Sequence, residues 1–227
     1  TVVASSRSMF GDFVAASTAD GRAVLLQVRF LPVHGDGAVA SVKIDVRERG
    51  VVALDPGGRA AERLSYLEEG DQKFVVGQVS ARDVALWWID ESGAERREVV
   101  QVPDGQAVKA VRVGRTGTAI AGTDGGKVFH WLLGESATLT DVSLVSSTPV
   151  TALEYMIGNN TFIAGTRDGT VSAWFRAPAG ADGDLAMVRA SEFESQGSPV
   201  TAIAASTRDR TFATAGSDGH VLLRHQT

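Results

Sequence analysis

The 227-residue sequence contains no cysteine. That absence removes disulfides, thiolate zinc sites and cysteine nucleophiles together. It leaves the compartment open, because cysteine-free chains suit a periplasm or cell surface and also occur in the cytosol. No apolar run approaches the ~20 residues of a membrane-spanning helix. The opening TVVASSRSMF carries no secretory-leader pattern. Both facts are compatible with a longer, membrane-anchored parent chain. A basic surface is missing too. Net charge is −5 and the pI about 5.4. The densest basic spots, Arg96-Arg97 and Arg47 with Arg49, are interrupted by Glu95, Glu98 and Glu48. They read as solvated strand faces. Phosphate binding needs clustered Lys and Arg, so no nucleic-acid partner is expected.

Signals for chemistry are also scarce. No serine stands in Gly-x-Ser-x-Gly, and Gly125-Gly126-Lys127 lacks the frame of a phosphate loop. Asp182-Gly183-Asp184 has one Asp-x-Asp without the acidic positions that complete a calcium loop. Four histidines are present. His34 is read as an exposed residue of a Val33–Gly37 loop. His130 should face away from Trp131. His220 and His225, five apart on one strand, should point to opposite faces and share no metal. No enzyme activity, metal or cofactor is expected, and no catalytic residue is assigned.

What the chain does have is a repeated phrase. TAIAGTDGGKVFHWL (118–132), TFIAGTRDGTVSAWF (161–175) and TFATAGSDGHVLLR (211–224) share a Thr-led apolar run, a Gly-containing turn and a second apolar run. Short Val, Ile, Phe and Thr runs bounded by Asp-Gly read as β-hairpins, since Gly supplies positive φ at the turn. The turn positions are Asp20-Gly21, Gly126, Asp168-Gly169 and Asp218-Gly219. The valine opening the second run recurs at Val84, Val128, Val171 and Val221, with steps of 44, 43 and 50 residues. Trp88, Trp131 and Trp174 close the same run and should pack between neighbouring sheets. An earlier strand precedes each of these hairpins: VKAVRV, VTALEY and VTAIAA at 108–113, 150–155 and 200–205. A weaker fourth run follows most of them. A looser first copy spans Phe13 to Phe30, and the longer interval after it is read as holding the loops Val33–Gly37 and Asp55–Arg59.

Four strands per unit at a 40–50-residue period is the mark of a β-propeller. The expected fold is therefore all-β: one propeller domain over 1–227, with units near 1–50, 51–103, 104–146, 147–194 and 195–227. No unit shows 3.6-residue spacing, which excludes helical solenoids. The last unit shows no fourth strand. Two expectations stand side by side: a ring closed by five blades, or a portion of a larger ring.

The phrases GTRDGTVSAW and GSDGHVLLRH resemble the core of WD40 repeats. The Gly-His dipeptide is absent from its place in the family's units, Gly219-His220 falling in a hairpin turn phrase instead, and the Trp-Asp pair is degraded to Trp131-Leu132, Trp174-Phe175 and Arg224-His225. The family's buried His–Asp–Ser/Thr–Trp network is therefore not expected, and apolar packing should hold the blades. The resemblance implies a non-catalytic protein-interaction module. The degenerate units, ending in GSDGHVLLRHQT, also resemble the extracytoplasmic propeller inserted in some bacterial phosphate ABC transporter permeases. That resemblance implies other transporter subunits or a phosphate-binding protein as partner. It also implies an extracytoplasmic location, with membrane contact only through segments of the parent chain. A cytoplasmic scaffold is the alternative, and a propeller hydrolase a more distant one.

Overall fold

The computed structural model describes residues 2–8, 11–36, 38–90, 92–115, 117–158, 160–179 and 184–226. The strands form five antiparallel sheets. Blade 1 is β1 (Val3–Ser8), β2 (Gly11–Ser17), β3 (Arg22–Gly35) and β4 (Ala38–Ala53). Blade 2 is β5 (Arg63–Glu69), β6 (Gln72–Gln78), β7 (Asp83–Ile89) and β8 (Glu95–Gln101). Blade 3 is β9 (Val108–Gly114), β10 (Thr118–Thr123), β11 (Lys127–Leu133) and β12 (Ala137–Leu144). Blade 4 is β13 (Val150–Tyr155), β14 (Thr161–Thr166), β15 (Val171–Ala179) and β16 (Asp184–Phe193). Blade 5 has three strands, β17 (Val200–Ala205), β18 (Thr211–Gly216) and β19 (Val221–His225). Every sheet is a meander, so each strand pairs with its sequence neighbour. The result is a five-bladed β-propeller.

The hairpins form where the sequence places turn chemistry. The Thr123 hydroxyl accepts the Lys127 N–H at 3.2 Å, and the Thr166 hydroxyl donates to the Thr170 carbonyl at 3.1 Å. Gly126 has φ +75°, and a Cβ there would lie 1.9 Å from the Ser146 carbonyl oxygen. Only glycine fits that turn, because the connection to the next blade crosses directly over it.

Alternation along each strand sends one face backward, to the preceding blade, and one forward, to the following blade. Four buried cores result, one per junction between consecutive blades. Phe13, Ala15, Leu25, Tyr66 and Trp87 join blades 1 and 2. Trp88, Leu86, Val111, Phe129 and Trp131 join blades 2 and 3. Ile120, Val128, Leu153, Phe162 and Trp174 join blades 3 and 4. Ile163, Val171, Ile203 and Phe212 join blades 4 and 5. Each fully buried Val, Leu, Ile or Phe contributes roughly 1.5–3 kcal/mol of transfer free energy. The inner strands β1, β5, β9, β13 and β17 pack on one another in that order. Among the described residues no buried core joins blade 5 to blade 1.

Several expectations are corrected. The interval after the first hairpin holds the loop at Asp55–Arg59 as expected, but Val33–Gly35 belongs to β3, which therefore includes His34, and residues 38–53 are strand β4. His220 sits in the turn before β19, not on the strand. Trp88 is not the counterpart of Trp131 and Trp174. Those two lie three residues past Val128 and Val171 and face backward. Three past Val84 is Trp87, which packs backward against blade 1. Trp88 points the other way because adjacent strand residues take opposite faces. Its indole N–H donates to the Gly134 carbonyl of blade 3 at 2.9 Å.

Candidate interaction surfaces

The sequence-derived positions serve the scaffold. Asp20-Gly21, Gly126, Asp168-Gly169 and Asp218-Gly219 stand at the turns between second and third strands. Val84, Val128 and Val171 are buried on forward faces, whereas Val221 is 66% exposed. Asp182 and Gly183 lie outside the described residues. His130 faces forward, opposite to Trp131. Its ring packs at a tilt of 55° against Phe162 with ring centres 5.2 Å apart, and its Nε2 lies 3.2 Å from the Ser143 hydroxyl. Burial pushes its pKa down to about 4. His220, exposed, is drawn upward by its hydrogen bond to Asp218.

Two polar arrangements were not visible in the sequence. In blade 5, Arg224 occupies the tryptophan position. Its Nε donates to the Thr214 hydroxyl at 3.0 Å, and that hydroxyl donates to Gln196 Oε1 at 2.6 Å. Thr123 donates to Gln106 in the same manner at 2.6 Å in blade 3. A glutamine-based network thus stands where the histidine-based one was ruled out. The second arrangement lies between blades 1 and 2. A bulge pairs Glu48 with Leu26 and Gly50 with Leu25, leaving Arg49 as the extra residue. Its guanidinium reaches Glu68, 1% exposed, at 2.8 Å. The Tyr66 hydroxyl donates to the same carboxylate. Burial and that bond push the tyrosine pKa up.

The inner strands surround a cavity of about 550 Å3, lined by residues from all five blades. Its polar wall includes Ser65, Arg112, Arg115 and Glu154. Arg112 pairs with Glu154 at 3.2 Å across the junction of blades 3 and 4. Burial raises the Glu154 pKa against the pull of that arginine. Among the described residues no group of three His, Asp or Glu is placed to hold a metal ion.

The β3–β4 hairpin extends beyond the rest of its sheet as an arm. β2 pairs with β3 only as far as Val28, but β3 and β4 continue as a two-stranded ribbon. Val28 pairs with Val46, Phe30 with Ile44 and Pro32 with Val42, so all six share one face. Phe30, Val42, Ile44 and Val46 are 55–60% exposed. The opposite face carries Arg29 against Asp45 and Leu31 against Lys43. The arm reaches about 20 Å past the last β2 pairing at the usual rise per residue.

Residues 188–224 match the family model for the WD domain, G-beta repeat. No curated protein matches the chain. The matched WD40 unit begins in β16, the outer strand of blade 4, and ends in β19, the third strand of blade 5. A WD40 unit here therefore straddles two blades. With five sheets around one cavity the chain folds as a five-bladed β-propeller, in which residues 188–224 are similar to a WD40 repeat. No helix among the described residues is long and apolar enough to cross a membrane.

Proposed function

We propose that this propeller is a protein-binding module and that its β3–β4 arm makes the principal contact. The observation that carries this reading is the arm's row of exposed Phe30, Val42, Ile44 and Val46. A two-stranded ribbon is marginal in water without a covering surface. A contiguous exposed apolar face rimmed by charge is the ordinary character of an interaction site. At finer scale, the reading we favour is the extracytoplasmic part of a phosphate transporter permease, with a phosphate-binding protein or another transporter subunit as partner. It rests on the resemblance of the repeat phrases, and the absence of cysteine suits that compartment.

The test is direct binding between the chain and a phosphate-binding protein from the same organism, comparing wild type with Phe30→Asp/Ile44→Asp. Loss of at least ~10-fold in affinity, with the melting temperature unchanged, is expected for exposed apolar anchors. Equal binding by the variant would sink the arm as the contact. No binding by the wild type, together with a gene that encodes no apolar spans, would sink the transporter reading and leave the scaffold.

A further inference from the structure

The forward face of blade 5 is built like the forward faces that are buried elsewhere. Ala202, Ala204, Ala213, Ala215, Val221 and Leu223 all lie on it. Val221 and Leu223 are 66% and 77% exposed, while Val171 and Ala173, at the same positions in blade 4, are fully buried. The alanine floor has a counterpart at the filled junctions. There, Gly122 and Gly165 lie against Val150 and Val200, the first residues of the next blade's inner strand. The turn behaves alike. Gly126 and Gly169 are overlain by Ser146 and Ser198, in the connection to the next blade, whereas nothing lies within 4 Å of a Cβ on Gly219. The backward face of blade 1 does not supply the missing cover. It carries Val3, Val14, Ala16, Val24, Leu26 and Val51, half-buried or exposed, and the positions that hold Phe162 and Trp174 in blade 4 are held here by the smaller Val14 and Leu26.

We propose that a further blade of the same repeat, carried by the full-length polypeptide, packs on the forward face of blade 5. The argument is continuity: this face extends a series of four junctions that all bury the equivalent positions. The framing of the repeat fits as well. A unit framed like residues 188–224 opens with the outer strand of one blade and closes with the third strand of the next. One more such unit would pair with the unpaired edge of β19 and also lay three strands over Val221 and Leu223. Its backward face would carry bulky residues against the four alanines.

The absence of cysteine provides a clean test. Within residues 1–227 Leu223→Cys introduces a single thiol, and maleimide labelling read at that residue by mass spectrometry reports its cover. In the 227-residue chain it should label at the rate of a free thiol. In the full-length gene product labelling should slow by at least ~100-fold, since a buried position reacts only through local opening. Val221→Cys should give the same pair of results and guards against a variant that fails to fold. Protection in the 227-residue chain alone overturns the proposal. If that protection is lost on dilution, a second copy is the occupant, and if it persists, blade 1 is. A freely reactive thiol in the full-length product overturns it as well.

Discussion

His130 shows how one residue sets a condition on the whole molecule. It is buried between blades 3 and 4, and its pKa falls from the ordinary 6.5 to about 4. Desolvation is the main cause, opposed by Asp141 and reinforced by Arg176. Between those pH values the unfolded chain holds a proton that the folded chain refuses. Stability from this residue is complete above pH 6.5 and is lost as pH falls toward 4. The shift bounds the loss at about 3 kcal/mol. The aspartates with lowered pKa, among them Asp55 and Asp83, release their contributions only below their ordinary 3.8. The two windows are therefore separate. Thermal melts from pH 7.5 to 4.5 should show a falling melting temperature, and His130→Gln should flatten most of the slope. An undiminished slope in the variant would exclude His130 as its source. The sequence placed this side chain on the face opposite Trp131, which alternation alone decides. It did not reveal the Arg224–Thr214–Gln196 network, because Gln196 lies 28 residues before Arg224 and meets it only through the fold.

The hairpin turn is the element that the sequence wrote most plainly, and its glycines are not equivalent. Gly126 and Gly219 both hold positive φ, which costs an alanine about 1 kcal/mol. Only at Gly126 would the new methyl also meet a carbonyl oxygen, that of Ser146. Gly126→Ala should therefore lower the melting temperature clearly more than Gly219→Ala, and equal losses would mean that the overlying connection yields. Hairpins were legible because Gly-containing turns between β-branched runs carry their own signal. β4 was not, for a physical reason. Its outer half belongs to a ribbon with water on both faces, so Lys43, Asp45, Arg47 and Glu48 interleave with Val42, Ile44 and Val46 without a burial pattern. β5 was hard to read for the opposite reason, the burial of polar residues. Ser65 and Glu68 are buried polar residues held by partners from other strands, Val113 and Arg49. The Trp87–Trp88 pair defeats counting by type, since both are buried and only the face distinguishes them.

At the scale of the molecule the propeller is a stack whose stability resides in its junctions. Blades 2, 3 and 4 each bury two faces, while blades 1 and 5 each bury one. In such nearest-neighbour architectures an end unit opens more readily than an internal one, because it breaks one interface instead of two. Blade 5 is further weakened by having three strands, with the β19 edge unpaired. Its single covered face still holds Ile203, Phe212 and the buried Arg224 network, so it should fold, but as the least protected blade. Hydrogen exchange of the 227-residue chain should therefore show β18 losing protection at least ~10-fold faster than β10 and β14, which occupy the same ladder position in blades 3 and 4. Blade 1 should fall between them, because a full four-stranded sheet backs its single buried face. Uniform protection across the five middle strands would mean that the ring is sealed by contact between blade 5 and blade 1. Selective exchange at blade 5 would mean that the open face lowers the cost of local unfolding, so that any cover over Val221 and Leu223 would stabilise the ring from that end.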